Sequence, residues 1–280
     1  MKTMGSFLLA CALAAAPTSP ARAGGDPREL VFGVSPGPYG DMVRKAIQPG
    51  LERRGYRVTV KEFSDYVQPD LALANGSIAA NLFQHRVYLE KFSKDKGLAL
   101  SPVVTVPTAG AGLYSRRVRS LDQLKPGDEV TVANDPTNLA RSLQLLQRHG
   151  LLKLRADVDP TRASERDVVE NPRHLRIRPI EAAQTPRSLD SVALAVVNGN
   201  YAIAAGIPLS SALAVEQLEE RHKNVIAVRT EDLGRPLARD IRAVVESPEF
   251  RKVIDDPAGP FKDFQKPEWM LPAPASGAGR

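Results

Sequence analysis

Short apolar runs alternate with amphipathic stretches through the first part of the chain. Three of the runs have the length and patterning of β-strands, and three neighbouring stretches repeat their apolar residues at helical spacing. The strands fall at 30–34, 56–60 and 78–82, and the helices at 42–51, 67–74 and 86–96. Strands that alternate with helices predict a parallel sheet with helices on its faces.

A second unit follows an extended, glycine-containing segment at 103–114. It contains a strand at 129–133, a helix at 136–146 and a strand at 193–197, and an extended segment at 224–229 comes after it. Because each extended segment can carry the chain from one lobe to the other, we predict an α/β protein with two lobes. The predicted divisions are lobe 1 at 29–113 plus about 230–265, lobe 2 at 114–229, and a flexible tail at 270–280. Pro248 is expected to split the amphipathic stretch before the tail into two helices.

Residues 1–23 have the pattern of a secretory signal peptide. Lys2 precedes an apolar run that is too short to span a bilayer, and the small-residue sequence Ala21-Arg-Ala23 follows it. Cleavage after Ala23 would remove Cys11, the only cysteine, and leave a periplasmic protein without thiols. In the alternative, Cys11 closes a lipobox and becomes a lipidated N-terminus that anchors the protein to a membrane. The apolar run continues past Cys11, which favours cleavage at Ala23.

The charge of the chain does not indicate a nucleic-acid partner. The formal net charge is +6, and removal of the leader leaves 36 basic against 32 acidic residues. Basic and acidic residues are interspersed, and no motif of interleaved aromatic and basic residues is present. The short basic run at 116–119 is therefore interpreted as a solvated surface.

The sequence lacks the common signatures of catalysis and metal binding. It contains no G-x-S-x-G elbow, no P-loop and no G-x-G-x-x-G, and its four histidines are far apart. A zinc site would have to gather its ligands over long range. We therefore predict no metal, no cofactor and no enzymatic activity, with His85 as the one obvious acid–base candidate.

A strong helix opening stands at residues 134–138. Asp135 can accept hydrogen bonds from the free amides of the first turn, and Pro136 suits the first helical position. Arg141 lies one turn after Asn138 on the same helix surface, so the two can form a carboxylate site at the positive end of the helix. Spacing alone leaves open a second interpretation, in which Arg141 lies on a solvent face.

Aromatic residues cluster at the junction between the third strand and the following helix. Phe83 and His85 share a strand face, and His85 and Tyr88 share a helix face, so the three can converge. Such a wall suits a ligand with an apolar side chain and a polar end. The residues by themselves favour a plainer interpretation, in which both rings belong to the core and His85 caps the helix.

Six ordered stretches of the chain resemble methionine-binding proteins of the NlpA lipoprotein family. They are FSDYVQP (63–69), NLFQHRVY (81–88), NDPTNLAR (134–141), ENP (170–172), QTPRSL (184–189) and VNGNY (197–201). The similarity runs from about Leu30 to Trp269, which is nearly all of the expected mature chain.

The resemblance implies a type II-like, two-lobed periplasmic-binding fold with a ligand cleft between the lobes. It implies delivery of D- or L-methionine to the permease of an ABC importer with its ATPase. In such proteins an aromatic cage holds the thioether, an arginine holds the carboxylate and asparagines hold the remaining polar groups. Carried onto this chain, the ligand-binding residues would be Tyr66, Phe83, His85, Tyr88, Asn138, Arg141, Asn198 and Asn224.

Two alternatives stay open at this point. The first is a binding protein for another small apolar amino acid or for a methionine-containing dipeptide. The second is an enzyme that acts on a small amino or keto acid, because similar two-lobed folds can host chemistry.

Overall fold

The structure is a computed structural model and describes residues 28–272. The predicted signal peptide, with Cys11, lies outside the described residues, as do residues 273–280 of the predicted tail. Met270, the first residue of that predicted tail, is buried, and its carbonyl accepts a hydrogen bond of 3.0 Å from Arg251. The folded body therefore includes Met270, and the expectation of a flexible tail from residue 270 is wrong at this position.

The regular elements follow the predicted alternation closely. Within the described residues, the strands in chain order are β1 Arg28–Val34, β2 Tyr56–Glu62, β3 Ala80–His85, β4 Leu100–Thr105, β5 Gly112–Tyr114, β6 Glu129–Ala133, β7 Lys153–Leu154, β8 Val168–Glu170, β9 Arg176–Ile180, β10 Leu194–Val197, β11 Ala214–Val215 and β12 Asn224–Arg229. The α-helices are α1 Pro38–Met42, α2 Gln48–Glu52, α3 Gln68–Ala74, α4 Arg86–Lys96, α5 Pro136–Arg148, α6 Thr185–Ser188, α7 Gly199–Ala204, α8 Pro236–Val245 and α9 Pro248–Ile254. A π-helical turn at Val43–Ile47 joins α1 to α2.

The first sheet has the strand order β2-β1-β3-β12-β4. Strand β1 pairs in parallel with β2 and β3, and β12 runs antiparallel between β3 and β4. The sequence assigned residues 114–229 to the second lobe, but the structure puts β12 in the first sheet. The physical reason is burial: residues 224–228 are all buried, so this run is a central strand and not a connection between lobes.

The second sheet has the order β11-β5-β10-β6-β9. Strand β10 is parallel to β6 and antiparallel to β5, and β6 is parallel to β9. Each sheet has its own apolar core, the first around Phe32 and Ile226 and the second around Val130 and Leu143. The described chain thus forms an α/β fold of two lobes, as predicted.

Two connections carry the chain between the lobes, at 106–111 and 216–223. Near them a third cluster of buried residues draws on both lobes, combining Tyr66, Phe83 and Tyr88 of the first with Val197 and Tyr201 of the second. This shared cluster marks the position of the cleft.

Candidate ligand-binding site

Three rings from the first lobe form one wall of a cavity between the lobes. Tyr66, Phe83 and Tyr88 are buried, and their ring centroids lie 5.8–6.1 Å apart. Tyr201 of the second lobe packs against Tyr66, with the two ring centroids 5.0 Å apart. Burial raises the pKa of Tyr66 well above its usual value, so its hydroxyl stays protonated and donates to Asn200 Oδ1 at 2.6 Å.

His85 stands where β3 ends and α4 begins. Its Nδ1 accepts a hydrogen bond of 3.1 Å from the amide of Tyr88, which caps the helix. Burial, together with the positive charge of Arg141 and the neighbouring His222, lowers the pKa of His85 well below its usual value. The imidazole is therefore neutral with its proton on Nε2, which lies 3.4 Å from Asn138 Oδ1 in the other lobe.

The opening of α5 is organised by Asp135, as the sequence predicts. The carboxylate of Asp135 accepts hydrogen bonds of 3.0 Å from both the amide and the side-chain nitrogen of Asn138. These bonds fix Asn138 Oδ1 toward the cavity, where it accepts from Asn198 at 3.0 Å and from Arg141 at 3.3 Å. The side chain of Asn138 thus contacts four polar residues. Its oxygen faces His85, Arg141 and Asn198, and its nitrogen donates to Asp135.

Arg141 is 6% exposed, which excludes the solvent-face interpretation. Its Nε lies 2.9 Å and 2.7 Å from the two carboxylate oxygens of Glu216, and its Nη2 lies 2.6 Å from Oε2. Glu216 is buried as well. Glu216 contacts the edge of the guanidinium that Nε and Nη2 form. The third nitrogen, Nη1, donates to Asn138 Oδ1.

The two remaining predicted asparagines lie at element ends. Asn198 follows β10 at the start of α7 and donates to Asn138. Asn224 begins β12, and its side chain donates to the carbonyl of Phe83 at 3.0 Å, while its amide donates to Thr108 Oγ1 at 2.7 Å.

The eight residues singled out from the sequence surround one cavity. They are Tyr66, Phe83, His85, Tyr88, Asn138, Arg141, Asn198 and Asn224. An aromatic end and a guanidinium–asparagine end thus belong to the same enclosed space between the lobes. Their role in holding a ligand stays a prediction.

Sequence reasoning missed several residues that complete the site. Tyr39, Gln84, Thr108 and Asn200 also line the cavity, and Glu216 stands behind Arg141. Asn200 had a signal, because it is part of the VNGNY stretch. Glu216 had none, since it is 75 residues from Arg141 in a segment without a motif.

The described residues also limit other kinds of site. Between residues 28 and 272, no group of three or more His, Cys, Asp or Glu side chains is arranged to hold a metal ion. None of the helices in this same range combines the length and apolar character needed to cross a membrane.

The two lobes and the enclosed cavity between them place the protein in the class of two-lobed, periplasmic-type binding proteins. Residues 30–269 match the NlpA lipoprotein family. The chain belongs to this family, which confirms the resemblance found in the sequence.

Several proteins of known name align with most of this chain. It is 38% identical over 235 residues to the probable D-methionine-binding lipoprotein MetQ of Vibrio cholerae, covering 82% of this chain and 86% of the relative. It is 42% identical over 215 residues to the D-methionine-binding lipoprotein MetQ of Escherichia coli K12, covering 74% and 77%. A nutrient-binding protein from Burkholderia cenocepacia, solved bound to methionine, superposes with a TM-score of 0.78 at 36% identity and covers 84% of this chain and 97% of the solved one.

Proposed function

We propose that this protein captures methionine outside the cytoplasm and delivers it to an ABC importer, without catalysing a reaction. One observation carries the proposal. A neutral aromatic wall and a fixed guanidinium with asparagines face the same buried cavity between two lobes. The MetQ relatives and the methionine-bound structural neighbour support methionine as the ligand.

The chemistry of methionine suits the two ends of the cavity. A thioether is polarizable and makes favourable contacts with aromatic rings, which Tyr66, Phe83 and Tyr88 offer. The carboxylate of methionine can accept from Nη1 of Arg141, which Glu216 leaves facing Asn138 and the cavity, and the asparagines can accept from the ammonium group. The site holds its one neutral histidine by both ring nitrogens, so His85 suits binding better than proton transfer.

The remaining steps of the proposal concern export and delivery. The leader at 1–23 supports export, and the lipoprotein names of the relatives keep Cys11 as an anchoring alternative. In the periplasm the ligand-closed form would dock on the permease, and the ATPase would drive import. Incorporation of labelled palmitate into the wild-type chain, but not into Cys11→Ser, would decide for the lipid anchor.

The direct test of the ligand is mass spectrometry of whatever the purified protein releases on denaturation. We expect methionine. The refolded, ligand-free protein should then bind D- or L-methionine by calorimetry, with norleucine and a Gly-Met dipeptide as competitors. Tighter binding of either competitor favours the corresponding alternative ligand, and no heat with any of them contradicts the proposed function.

Arg141→Ala tests the carboxylate end of the site. We expect methionine binding to weaken by about 2–4 kcal/mol, because the variant leaves the ligand carboxylate and Glu216 without their partner. Arg178→Ala, which removes a half-exposed arginine on the surface of the same lobe, is the matched control and should bind normally. Equal affinities of the two variants would contradict the assignment of Arg141.

A further inference from the structure

Glu216 occupies the point where the two connections between the lobes run side by side. It directly follows β11, and its amide donates to the carbonyl of Ala111 at 2.9 Å. Its carboxylate oxygen Oε2 lies 3.4 Å from the amide of Ala111, and Gln265 donates to its carbonyl at 2.6 Å. These three hydrogen bonds hold the backbone and the carboxylate of Glu216 between the two connections.

The contact of Glu216 with Arg141 selects one edge of the guanidinium. Nε and Nη2 point to the carboxylate, so Nη1 is the nitrogen left to face Asn138 and the cavity. A guanidinium is planar, and a pairing through one edge therefore fixes the direction of the other. Glu216 does not line the cavity, and Arg141 is the residue through which its carboxylate acts on the charge and geometry of the site.

The pair also sets the charge that a ligand meets. Glu216 is 2% exposed and Arg141 6%, so solvent screens their charges weakly. Arg148 reaches Glu216 at 3.7 Å but is 43% exposed, which leaves Arg141 as the close buried partner. With Glu216 ionised, the positive charge of Arg141 is balanced before any ligand enters.

We propose that Glu216 is a positioning and specificity-determining residue. It directs Nη1 of Arg141 into the cavity, and it neutralises that cation so that the site prefers a zwitterionic amino acid over a simple carboxylate anion. This inference rests on the proposed function, because it assumes an α-amino acid as ligand. The unbalanced cation left by loss of Glu216 repels an ammonium group and attracts a net anion.

The test compares two ligands in Glu216→Gln. Calorimetry on ligand-free protein would give the Kd of methionine and of 4-(methylthio)butanoate, which is methionine without its amino group. We expect the ratio of the second Kd to the first to fall by about tenfold or more relative to wild type, since only methionine carries the repelled ammonium. A residue needed only for folding would weaken both ligands by the same factor.

Two further variants keep the test decisive. Glu219→Gln makes the same change at an exposed position of the same connection and should leave the ratio unchanged. Glu216→Asp keeps the charge but shortens the side chain, so we expect methionine to bind about tenfold more weakly with the ratio close to wild type. This variant also tests positioning should Glu216→Gln not fold.

The outcomes separate the two proposals. A wild-type protein that binds no α-amino acid contradicts the proposed function, and the inference falls with it. A wild-type protein that binds methionine, together with an unchanged ratio in Glu216→Gln or an unchanged methionine affinity in Glu216→Asp, contradicts the inference alone.

Discussion

The carboxyl group of Asp70 is fully buried, and Gln84 lies between it and the cavity. Its Oδ1 accepts from Asn81 at 2.8 Å and from Gln84, which lines the cavity, at 2.5 Å. Its Oδ2 finds no hydrogen-bond partner among residues 28–272. Burial raises the pKa of Asp70 from 3.8 to about 7, although both amides oppose the shift.

This raised pKa predicts a defined pH dependence for Asp70→Asn. In the folded state the carboxyl holds its proton up to about pH 7, whereas in the unfolded state it loses it near pH 3.8. The stabilising contribution of Asp70 is therefore complete below pH 3.8 and is lost as the pH rises through about 7. Relative to wild type, Asp70→Asn should gain a few kcal/mol of unfolding free energy between pH 4 and pH 8.

Urea unfolding of both proteins across this range measures the gain. Asp159→Asn is a control of opposite sign, because hydrogen bonds from the amide and hydroxyl of Thr161 lower the pKa of Asp159. That variant should lose stability relative to wild type as the pH rises through the range where unfolded Asp ionises. A gain for Asp70→Asn that does not change with pH would show that its carboxyl titrates normally.

At the scale of elements, the site is built from the beginnings of three helices. His85 caps α4, Asp135 caps α5, and Asn198 stands at the start of α7. Each of these three residues has an extended backbone, and the helix begins at the next residue. The change of direction from strand to helix therefore occurs at a defined position. The side chains at these junctions therefore point into the cleft with little freedom.

Gly199 shows how closely α7 packs against the first connection between the lobes. A Cβ at this position would lie 2.6 Å from the carbonyl oxygen of Gly110 and 2.6 Å from Cβ of Ala109. In Gly199→Ala the added methyl group must push α7 away from the backbone at Ala109 and Gly110. We expect the variant to lose about 1–3 kcal/mol of unfolding free energy or a comparable amount of ligand-binding free energy.

Urea unfolding and calorimetry on Gly199→Ala check both forms of this cost. The matched control is Gly234→Ala, where an added Cβ meets nothing within 4 Å among the residues that the structure describes. If the two variants are equally stable and bind equally well, α7 does not depend on this close approach.

At the scale of the whole molecule, the side-chain oxygen and nitrogen of Asn200, in the second lobe, both form hydrogen bonds to the first lobe. Its Oδ1 accepts from Tyr66, and its Nδ2 donates to the carbonyl of Pro36 at 3.2 Å and to Ser35 Oγ at 3.3 Å. The His85–Asn138 contact lies in the same cleft. These contacts exist only while the lobes are together, so they stabilise the closed arrangement over an open one.

Asn200→Ala should therefore shift the population toward open molecules. We expect wild-type protein to become more compact in small-angle X-ray scattering when methionine is added. The variant should require about tenfold more methionine for the same change, because part of the binding free energy must replace the lost contacts.

Ser211→Ala, an exposed substitution on the same lobe, is the control and should behave as wild type. A ligand-free wild type that is already as compact as the methionine-bound protein would contradict the assumed opening. An Asn200→Ala titration that matches wild type would contradict the role of Asn200.

Much of this molecule is determined locally by its sequence. The apolar periods predicted β1, β2, β3, β6 and β10 and the helices α3, α4 and α5. Asp135 and Pro136 predicted the start of α5, and Pro248 predicted the break between α8 and α9. These features depend on neighbours within a few residues, where backbone geometry and capping are nearly independent of the rest of the fold. Local patterns also pointed to five of the residues that line the cavity, and the resemblance to one family added Tyr66, Asn198 and Asn224.

The tertiary structure alone decided which distant partners meet. It inserted β12 into the first sheet, brought Glu216 to Arg141 across 75 residues, and brought Asn200 to Tyr66 across 134. Such pairings depend on strand order and on how the two lobes close, and no local period in the sequence records either. A buried arginine must find a counter-charge, but only the packed fold determines which acid provides it.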